Sequence, residues 1–507
     1  MVLAQFGANL PWAGAFDAVL GALGDPFILF LIVLGTLIGL ISGVIPGLGG
    51  LTALAVLIPF TFRLDPIPAV MFVAALFGGG NQGGSVTAVL LNIPGRAPNA
   101  ASILDGYPMT RRGEGKRALG VAAVASGLGA FVGFGVLLVL LPFVASIALL
   151  FSPPDIFWLA IWGLATIALV VRGRVLSGLI SAGFGLMLSL PGLSQVTGGS
   201  RWVFGFSMLL DGFRLVPALI GLFAIGEMIN LVSKGEKIAQ NPTEIGGSVW
   251  EGARDVLANK FAFLRAAIIG LVIGIIPGVG GTAANFIAYF QAERTSTNSE
   301  TFGTGDVRGL IASEASNDAK DGGGYVPTFG FGIPGSPAMV LFLGVLVIQG
   351  ISPGPFLITD NLEIVLATIV AALLSNLLSS ALVLAAGGQL VKLTEVDPTI
   401  LAGLIIPTTF VSSFLLNGVF WDVVVTLLFG VLGFLMIRVR MSRVPLLLGM
   451  VLGPLAEDNL LRSLAIGGND LSIFFDSTIS LLLVLLILLT LLSELVDLKS
   501  ILTGRSS

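Results

Sequence analysis

The chain has 507 residues, of which 55% are hydrophobic and 11% charged, against about 25% charged in an ordinary soluble domain. With a mean hydropathy of +1.02 it cannot cover a water-facing surface, so the composition points to a polytopic membrane protein. Cysteine and histidine are absent and the net charge is −4. This excludes disulfides, thiolate and Cys/His zinc chemistry, haem ligation by His, and Ser-His or Cys-His catalysis, and leaves no basic footprint for nucleic acid.

The first Lys or Arg is Arg63, so the N-terminus lacks the basic region of a secretory signal. No soluble domain is expected at either end. In chain order, uncharged apolar runs that suit a bilayer core of about 30 Å are Phe27 to Ile45, Ala118 to Phe151, Ile156 to Val171, Val175 to Leu190 and Val216 to Val232. The second half offers Phe261 to Ile276, Ile364 to Val391, Ile400 to Leu416, Val423 to Ile437, Pro445 to Leu455 and Ile479 to Leu492. As one helix Ala118 to Phe151 would be about 50 Å long, so a strong tilt or a break near Gly127, Gly129, Gly133 and Gly135 is expected. Leu51 to Phe62 and Thr282 to Gln291 are short and read as half-helices or re-entrant segments. Val249 to Phe263 mixes Trp250, Val256 and Leu257 with Glu251, Arg254 and Asp255, the pattern of an amphipathic interfacial helix.

Self-similarity organises these runs. Gly43-Val44-Ile45-Pro46-Gly47-Leu48-Gly49-Gly50 recurs as Gly274-Ile275-Ile276-Pro277-Gly278-Val279-Gly280-Gly281, with six of eight positions identical. Gln82-Gly83-Gly84-Ser85-Val86 through Asn92-Ile93-Pro94-Gly95 matches Gly322-Gly323-Gly324-Tyr325-Val326 through Gly332-Ile333-Pro334-Gly335. Pro154 and Pro398 each open a span, and Val216-Pro217 with Gly221 answers Val444-Pro445 with Gly449. The order of landmarks gives two halves.

Arg96 to Arg117 carries five basic residues, whereas its counterpart Ser336 to Glu363 carries none. Because basic loops stay cytoplasmic, the halves are expected to insert upside-down relative to each other; a duplication without inversion is the plainer alternative. The expected fold is an all-α polytopic membrane protein of two inverted-topology repeats with broken or re-entrant helices and about 10–14 membrane segments. The expected order is an N-terminal periplasmic or interfacial segment (1–26), a first repeat (27–232), a cytoplasmic amphipathic linker (233–259), a second repeat (260–496) and a cytoplasmic tail (497–507).

Pro46 and Pro277 each end an apolar run, where proline removes a backbone donor. Breaks at corresponding points of two inverted halves point to a transport site. The half-helix behind each break would turn bare N–H groups and a positive dipole end to an anion such as a carboxylate. Candidate substrate contacts are therefore Gly47, Gly49 and Gly50 in the first motif and Gly278, Gly280, Gly281 and Thr282 in the second. Asn81, Gly83, Gly84, Ser85, Thr87, Asn92, Pro94 and Gly95 join them from the first long block, and Gly323, Gly324, Thr328, Pro334, Gly335 and Ser336 from its counterpart. The plain alternatives are glycine as a packing device and Ser or Thr bonded to its own helix.

Asn285, Glu314, Asn317 and Asp318 are the candidate cation-coupling residues. If helical, Glu314 and Asp318 share one face; with Lys320 and Asp321 beside them, a solvated loop is the competing reading. Glu227 is an ionisable residue in an apolar run or a boundary residue before Lys234. Arg96, Arg111 and Arg112 could hold an anion, but read more simply as topology determinants.

The motifs resemble the large membrane subunit of the tripartite tricarboxylate transporters (TctA-type). The residues that carry the resemblance are Pro46-Gly47-Leu48-Gly49, Gly83-Gly84-Ser85-Val86-Thr87-Ala88-Val89-Leu90-Leu91-Asn92-Ile93-Pro94-Gly95 and Leu104-Asp105-Gly106-Tyr107-Pro108-Met109. In the second half they are Pro277-Gly278-Val279-Gly280, Glu314-Ala315-Ser316-Asn317-Asp318-Ala319, Gly332-Ile333-Pro334-Gly335-Ser336, Gln349-Gly350 and Pro353-Gly354-Pro355. The resemblance implies a secondary transporter of a bacterial inner membrane that imports an organic carboxylate with Na⁺ or H⁺. It implies a small membrane subunit (TctB-type) and a periplasmic substrate-binding protein (TctC-type) as partners, with membrane lipid around the chain and a homodimer as a compatible assembly. No cofactor is expected beyond Na⁺ as a coupling ion. The chain departs from the family pattern at Gly50-Leu51-Thr52, at Arg96, where an acidic or small residue is common, and at Lys320-Asp321. A passive anion channel or a permease working without a binding protein is the alternative. An intramembrane enzyme would need a carboxylate pair or a Ser-Lys arrangement, and no such constellation recurs.

Overall fold

The structure, a computed structural model, describes residues 10–45, 49–166, 175–194, 196–234, 246–277, 280–354, 356–390, 392 and 398–502. Helix follows helix: α1 (Trp12–Leu23), α2 (Pro26–Val44), α3 (Gly49–Thr61), α4 (Pro66–Leu91), α5 (Ala100–Arg111), α6 (Gly115–Ala148), α7 (Pro153–Ala165) and α8 (Val175–Ser189). A two-stranded hairpin pairs Gly192 with Arg201. Then come α9 (Leu215–Leu219), which runs through a π-turn (Ile220–Ile225) into α10 (Gly226–Lys234), α11 (Val249–Ala258), α12 (Lys260–Ile275) and α13 (Gly280–Arg294). The remainder is α14 (Val307–Phe331), α15 (Pro337–Ile348), α16 (Phe356–Asp360), α17 (Leu362–Leu390), α18 (Pro398–Asn417), α19 (Phe420–Arg438), α20 (Arg443–Ile466) and α21 (Thr478–Leu502).

Local chemistry sets the boundaries. Asp25 accepts the Phe27 N–H at 2.8 Å and Pro26 opens α2, an acceptor cap before a helix-starting proline. Asp155 returns to the Ser152 N–H at 2.9 Å and closes a capping box at the start of α7. α4 ends at Asn92 with φ 60° and α14 at Gly332 with φ 69°, the left-handed cap that Asn and Gly tolerate.

Among the described residues, six helical runs are long and apolar enough to cross a membrane: α2, α6, Leu215–Ser233, α17, α19 and α20. The pair α11 and α12, bent by 81°, makes a seventh if it is one span. Short apolar helices complete the set, α3 and α15 among them. The protein is an all-α polytopic membrane protein. Phe27, Phe30 and Val33 of α2 and Leu481, Leu482 and Leu485 of α21 stay exposed, as side chains facing lipid would. α11 buries Gly252 and Val256 while Trp250 and Leu257 stay exposed, which fits the amphipathic reading.

Of the two alternatives expected for the longest apolar run, a tilt or a break, the break is not found. α6 runs without a break from Gly115 to Ala148. Its glycines are contact points: a Cβ on Gly129 or Gly133 would overlap the Ala315 or Ala319 carbonyl of α14. Removing the side chain lets two helices approach and does not by itself break either.

The core is built on two long helices whose middles are polar. α4 is buried from Ala69 to Leu90, and α14 is buried over most of Gly309 to Gly330. α4 packs between α2 and α17, and α14 between α12 and α6, so each is flanked by one helix from either half of the chain. The approach is closest at glycines. Gly39 lies on the Leu76 carbonyl and Gly83 on the Leu40 carbonyl; Gly270 lies on Ser316 and Gly323 on Leu271 in the same way.

Candidate functional site

On α4, Asn81 and Ser85 stand four residues apart and share a face. On α14, Glu314, Asp318 and Asp321 are spaced four and three apart and share another. The two faces meet. Asn81 Nδ2 donates to Asp318 Oδ1 at 2.6 Å and to Asp321 Oδ2 at 2.6 Å. Ser85 Oγ donates to Glu314 Oε2 at 2.8 Å and accepts from Asn99 Nδ2 at 2.9 Å. From α6, Ser126 Oγ donates to Asp318 Oδ2.

Lys320 lies inside the same layer. Its ammonium donates to Asp321 Oδ1 at 2.8 Å and to the Asn317 carbonyl. Asn285 Nδ2 donates to Asn317 Oδ1 at 3.2 Å and to the Pro98 carbonyl at 2.9 Å, and Ser316 Oγ donates to Asn285 Oδ1 at 3.1 Å. All these residues apart from Pro98 are buried. Ionised groups in such a place persist only with charge partners or hydrogen bonds, and nearly every one here has both. Arg96 adds a second cation: it lies over the Phe77 ring at 5.0 Å and within electrostatic reach of Asp321 and Asp318.

Of the sequence candidates, Asn81, Ser85, Asn285, Glu314, Asn317 and Asp318 thus fall into one network. The reading of Glu314 to Asp321 as a solvated loop is overturned, because these residues lie in the middle of α14 and are buried. Gly83 and Gly323 sit in the helix crossings, Gly84 against Asn99, Gly324 against Met339 and Gly281 against Lys320. Thr87 bonds the Gly84 carbonyl, to which the Gly95 N–H also donates at 3.4 Å. In the second half Thr328 donates to the Gly324 carbonyl at 2.7 Å and accepts the Gly335 N–H at 3.2 Å. These two braces hold each Pro-Gly loop against its long helix.

Asn92 and Pro94 are exposed, whereas Pro334 is buried. Gly49 and Gly280 open α3 and α13, Gly50 is buried and Thr282 half-buried. Ser336 has a buried hydroxyl with no hydrogen-bond partner. Gly47 and Gly278 lie outside the described residues.

Sequence reasoning did not bring Ser126, Ser380, Lys320, Asp321 or Arg96 into this layer. Ser126 and the Gln82–Ser380 bond at 2.8 Å join distant segments and carry no motif. Lys320 and Asp321 were read as a sign of solvent, and Arg96 as a topology signal. A charge pair inside a run of Ala and Gly was the available clue, since such small residues pack helices closely and leave little room for water.

The chain matches the family model described as tripartite tricarboxylate transporter TctA over residues 29–448. It is 32% identical over 451 residues to an "uncharacterized 52.8 kDa protein in TAR-I ttuC' 3'region" of Agrobacterium vitis, covering 88% of this chain and 89% of that protein. It is 33% identical over 211 residues to an "uncharacterized protein in TAR-II ttuC' 3'region" of the same organism, covering 42% of this chain and 87% of that one. No solved structure matches the chain.

Proposed function

The chain belongs to the tripartite tricarboxylate transporter TctA family, and from that membership we propose that it imports an organic carboxylate by symport with Na⁺ or H⁺. The carboxylate would be a tricarboxylate, a dicarboxylate or an aromatic carboxylate. A periplasmic binding protein delivers it, and a small membrane subunit completes the complex. The membrane is the bacterial inner membrane, with the N-terminus periplasmic and the C-terminus cytoplasmic.

The observation that carries this reading is the buried layer between α4 and α14. Polar and charged groups at the centre of an otherwise apolar membrane protein mark an ion or substrate path. Glu314, Asp318 and Asn317 with Asn285 supply oxygen and amide groups suited to a monovalent cation. The starts of α3 and α13 at Gly49 and Gly280 supply N–H groups suited to an anion.

We further read the halves as inverted repeats, which is the architecture that brings such sites to the bilayer midplane. In support, Gly39 with Leu76 and Gly270 with Ser316 are contacts of one kind at positions the sequence landmarks place in register. The left-handed caps at Asn92 and Gly332 agree.

The test is reconstitution of the three-subunit complex in proteoliposomes, with uptake of labelled citrate, succinate and benzoate measured under imposed Na⁺ and H⁺ gradients. Concentrative uptake that follows one gradient supports the reading. Uptake indifferent to both gradients, or single-channel conductance without accumulation, would overturn it in favour of a passive pore.

A further inference from the structure

The two halves differ at one pair of corresponding places. In the second half the Lys320 side chain fills the space over Gly281 at the start of α13, where a Cβ would overlap Lys320 Cε. In the first half Gly80 stands where Lys320 would be. A Cβ on Gly50 at the start of α3 would find the Gly80 Cα at 3.7 Å and Arg96 Nε at 3.9 Å. One half-helix end is therefore plugged by a lysine, and the other is open toward a guanidinium. Among the described residues Arg96 Nη1 is buried without a hydrogen-bond partner, and the guanidinium carbon lies over the Phe77 ring at 5.0 Å.

The acidic layer is also unbalanced. Glu314, Asp318 and Asp321 face the cations Lys320 and Arg96, one carboxyl group more than there are cations. One polar atom there is unused: among the described residues Asn317 Nδ2 has no hydrogen-bond partner, on a residue 1% exposed.

We propose that Arg96 couples the two ligands by sharing its charge: it anchors the carboxylate of the transported anion, and in doing so leaves the Glu314–Asp318–Asp321 layer in need of a monovalent cation. This rests on the transport reading and names the residue that links its two sites. A guanidinium presents two parallel N–H groups to a carboxylate, and the buried Nη1 has no partner among the described residues. With the anion absent, Arg96 partly satisfies Asp321 and Asp318, so cation binding is weak. With the anion bound, that positive charge is taken and the layer attracts Na⁺ or H⁺. Linkage makes the effect reciprocal, so the cation strengthens anion binding by the same factor.

The experiment compares wild type, Arg96→Gln and Arg96→Lys in the purified three-subunit complex. Cation binding is measured without carboxylate, as ²²Na⁺ binding at fixed pH and as proton uptake in Na⁺-free solution; the two arms separate Na⁺ from H⁺. The R96Q complex should bind the cation about tenfold more tightly than wild type. With the carboxylate that wild type accumulates, wild-type cation affinity should rise about tenfold or more, while R96Q affinity should not change. The R96K complex keeps the charge and loses the fork. It should show wild-type cation binding and about a tenfold higher half-saturating carboxylate concentration, and it carries the test if R96Q does not assemble. Carboxylate-free cation binding equal in R96Q and wild type, or wild-type carboxylate half-saturation in R96K, overturns the proposal. The carboxylate-free comparison stands even if wild type transports none of the three carboxylates, which would be a failure of the transport reading alone.

Discussion

Asn81 and Asp318 stand 237 positions apart in the chain and join through a 2.6 Å hydrogen bond. The same amide reaches Asp321 at 2.6 Å, so both of its N–H groups go to carboxylates on successive turns of α14. The bond ties the polar centre of α4 to that of α14, and Ser126 of α6 closes it from a third side. A carboxylate so placed is held by donors from two other helices, and any motion of α4 against α14 must exchange these bonds.

The Asn81→Ala variant is expected to lose about 3 kcal/mol of stability, because two buried carboxylate oxygens lose their donor. Asn81→Asp should lose more, since it adds a fourth carboxylate to the layer. Adding Asp318→Asn to N81A should recover part of the loss, because Asp318 is then left with the Ser126 donor alone whereas Asp321 keeps Lys320. Thermal unfolding of the purified complex in detergent, run on the three variants, checks the order. An N81A variant as stable as wild type would contradict the bridging role.

A second ion pair lies apart from this layer. Glu227 accepts from Arg443 at 2.6 Å, and Arg443 also donates to the Leu222 carbonyl at 2.9 Å. Leu222 lies in the π-turn, where the wider helical winding frees carbonyls from their usual partners. Arg443→Ala should therefore cost about 3–5 kcal/mol, the range for stranding a buried charge, because it abandons both Glu227 and the carbonyl. Asn230 would still hold Glu227 Oε1, at 3.1 Å. The double variant Glu227→Ala with Arg443→Ala should be more stable than R443A alone, and with E227A it closes a double-mutant cycle that gives the coupling energy.

Much of this was legible in the sequence. The uncharged runs fall in helices, Pro154 and Pro398 stand in the first turns of α7 and α18, and the Pro-Gly landmarks fall at the loops after α4 and α14. Glu314 and Asp318 were legible as a pair because helical spacing alone puts them on one face. What was not legible depends on helix partners. Gly129 and Gly133 could have been hinges; only the presence of α14 against α6 makes them contacts. Lys320 and Asp321 look like solvent-facing charges until Asn81, far away in the chain, is brought to them. Arg96 sits among the basic residues of a loop, and nothing local marks its guanidinium as the one stacked on Phe77.

Glycine substitutions should separate contact positions from free ones. A methyl on Gly39 would overlap the Leu76 carbonyl, and one on Gly270 would approach the Ser316 carbonyl at 2.5 Å, backbone that cannot turn aside. Gly39→Ala and Gly270→Ala should each cost about 1–3 kcal/mol as overpacking. Gly135 has nothing within 4 Å, so Gly135→Ala should gain up to about 1 kcal/mol from helix propensity. Unfolding midpoints of the three variants give the comparison; a Gly135→Ala protein as damaged as the other two would place α6 in a contact not seen here.

Acid should loosen the loop between α13 and α14 through Asp306. Asp105 of α5 accepts the Gly305 and Asp306 N–H groups at 2.7 and 2.8 Å, and Arg112 donates to the Gly305 carbonyl at 2.6 Å. Asp306 itself caps α14 by accepting the Arg308 N–H at 2.8 Å and holds the Arg308 guanidinium at 2.6 Å. Burial pushes the Asp306 carboxyl up, but the bonds from Arg308 and Thr301 outweigh it and hold the carboxyl below its ordinary value of 3.8. A carboxyl depressed by folding contributes fully above its unfolded value, and that contribution is lost as pH falls through the lower folded value. The loop is thus expected to stay closed at pH 5 and to open below about pH 3.8. Hydrogen exchange of residues 299–310, corrected for the intrinsic rate, should rise across that window in wild type. Asp306→Asn should show the raised exchange already at pH 5, with a cap loss of about 1 kcal/mol, and little further change on acidification. Equal pH dependence in the two proteins would assign the opening to another carboxylate.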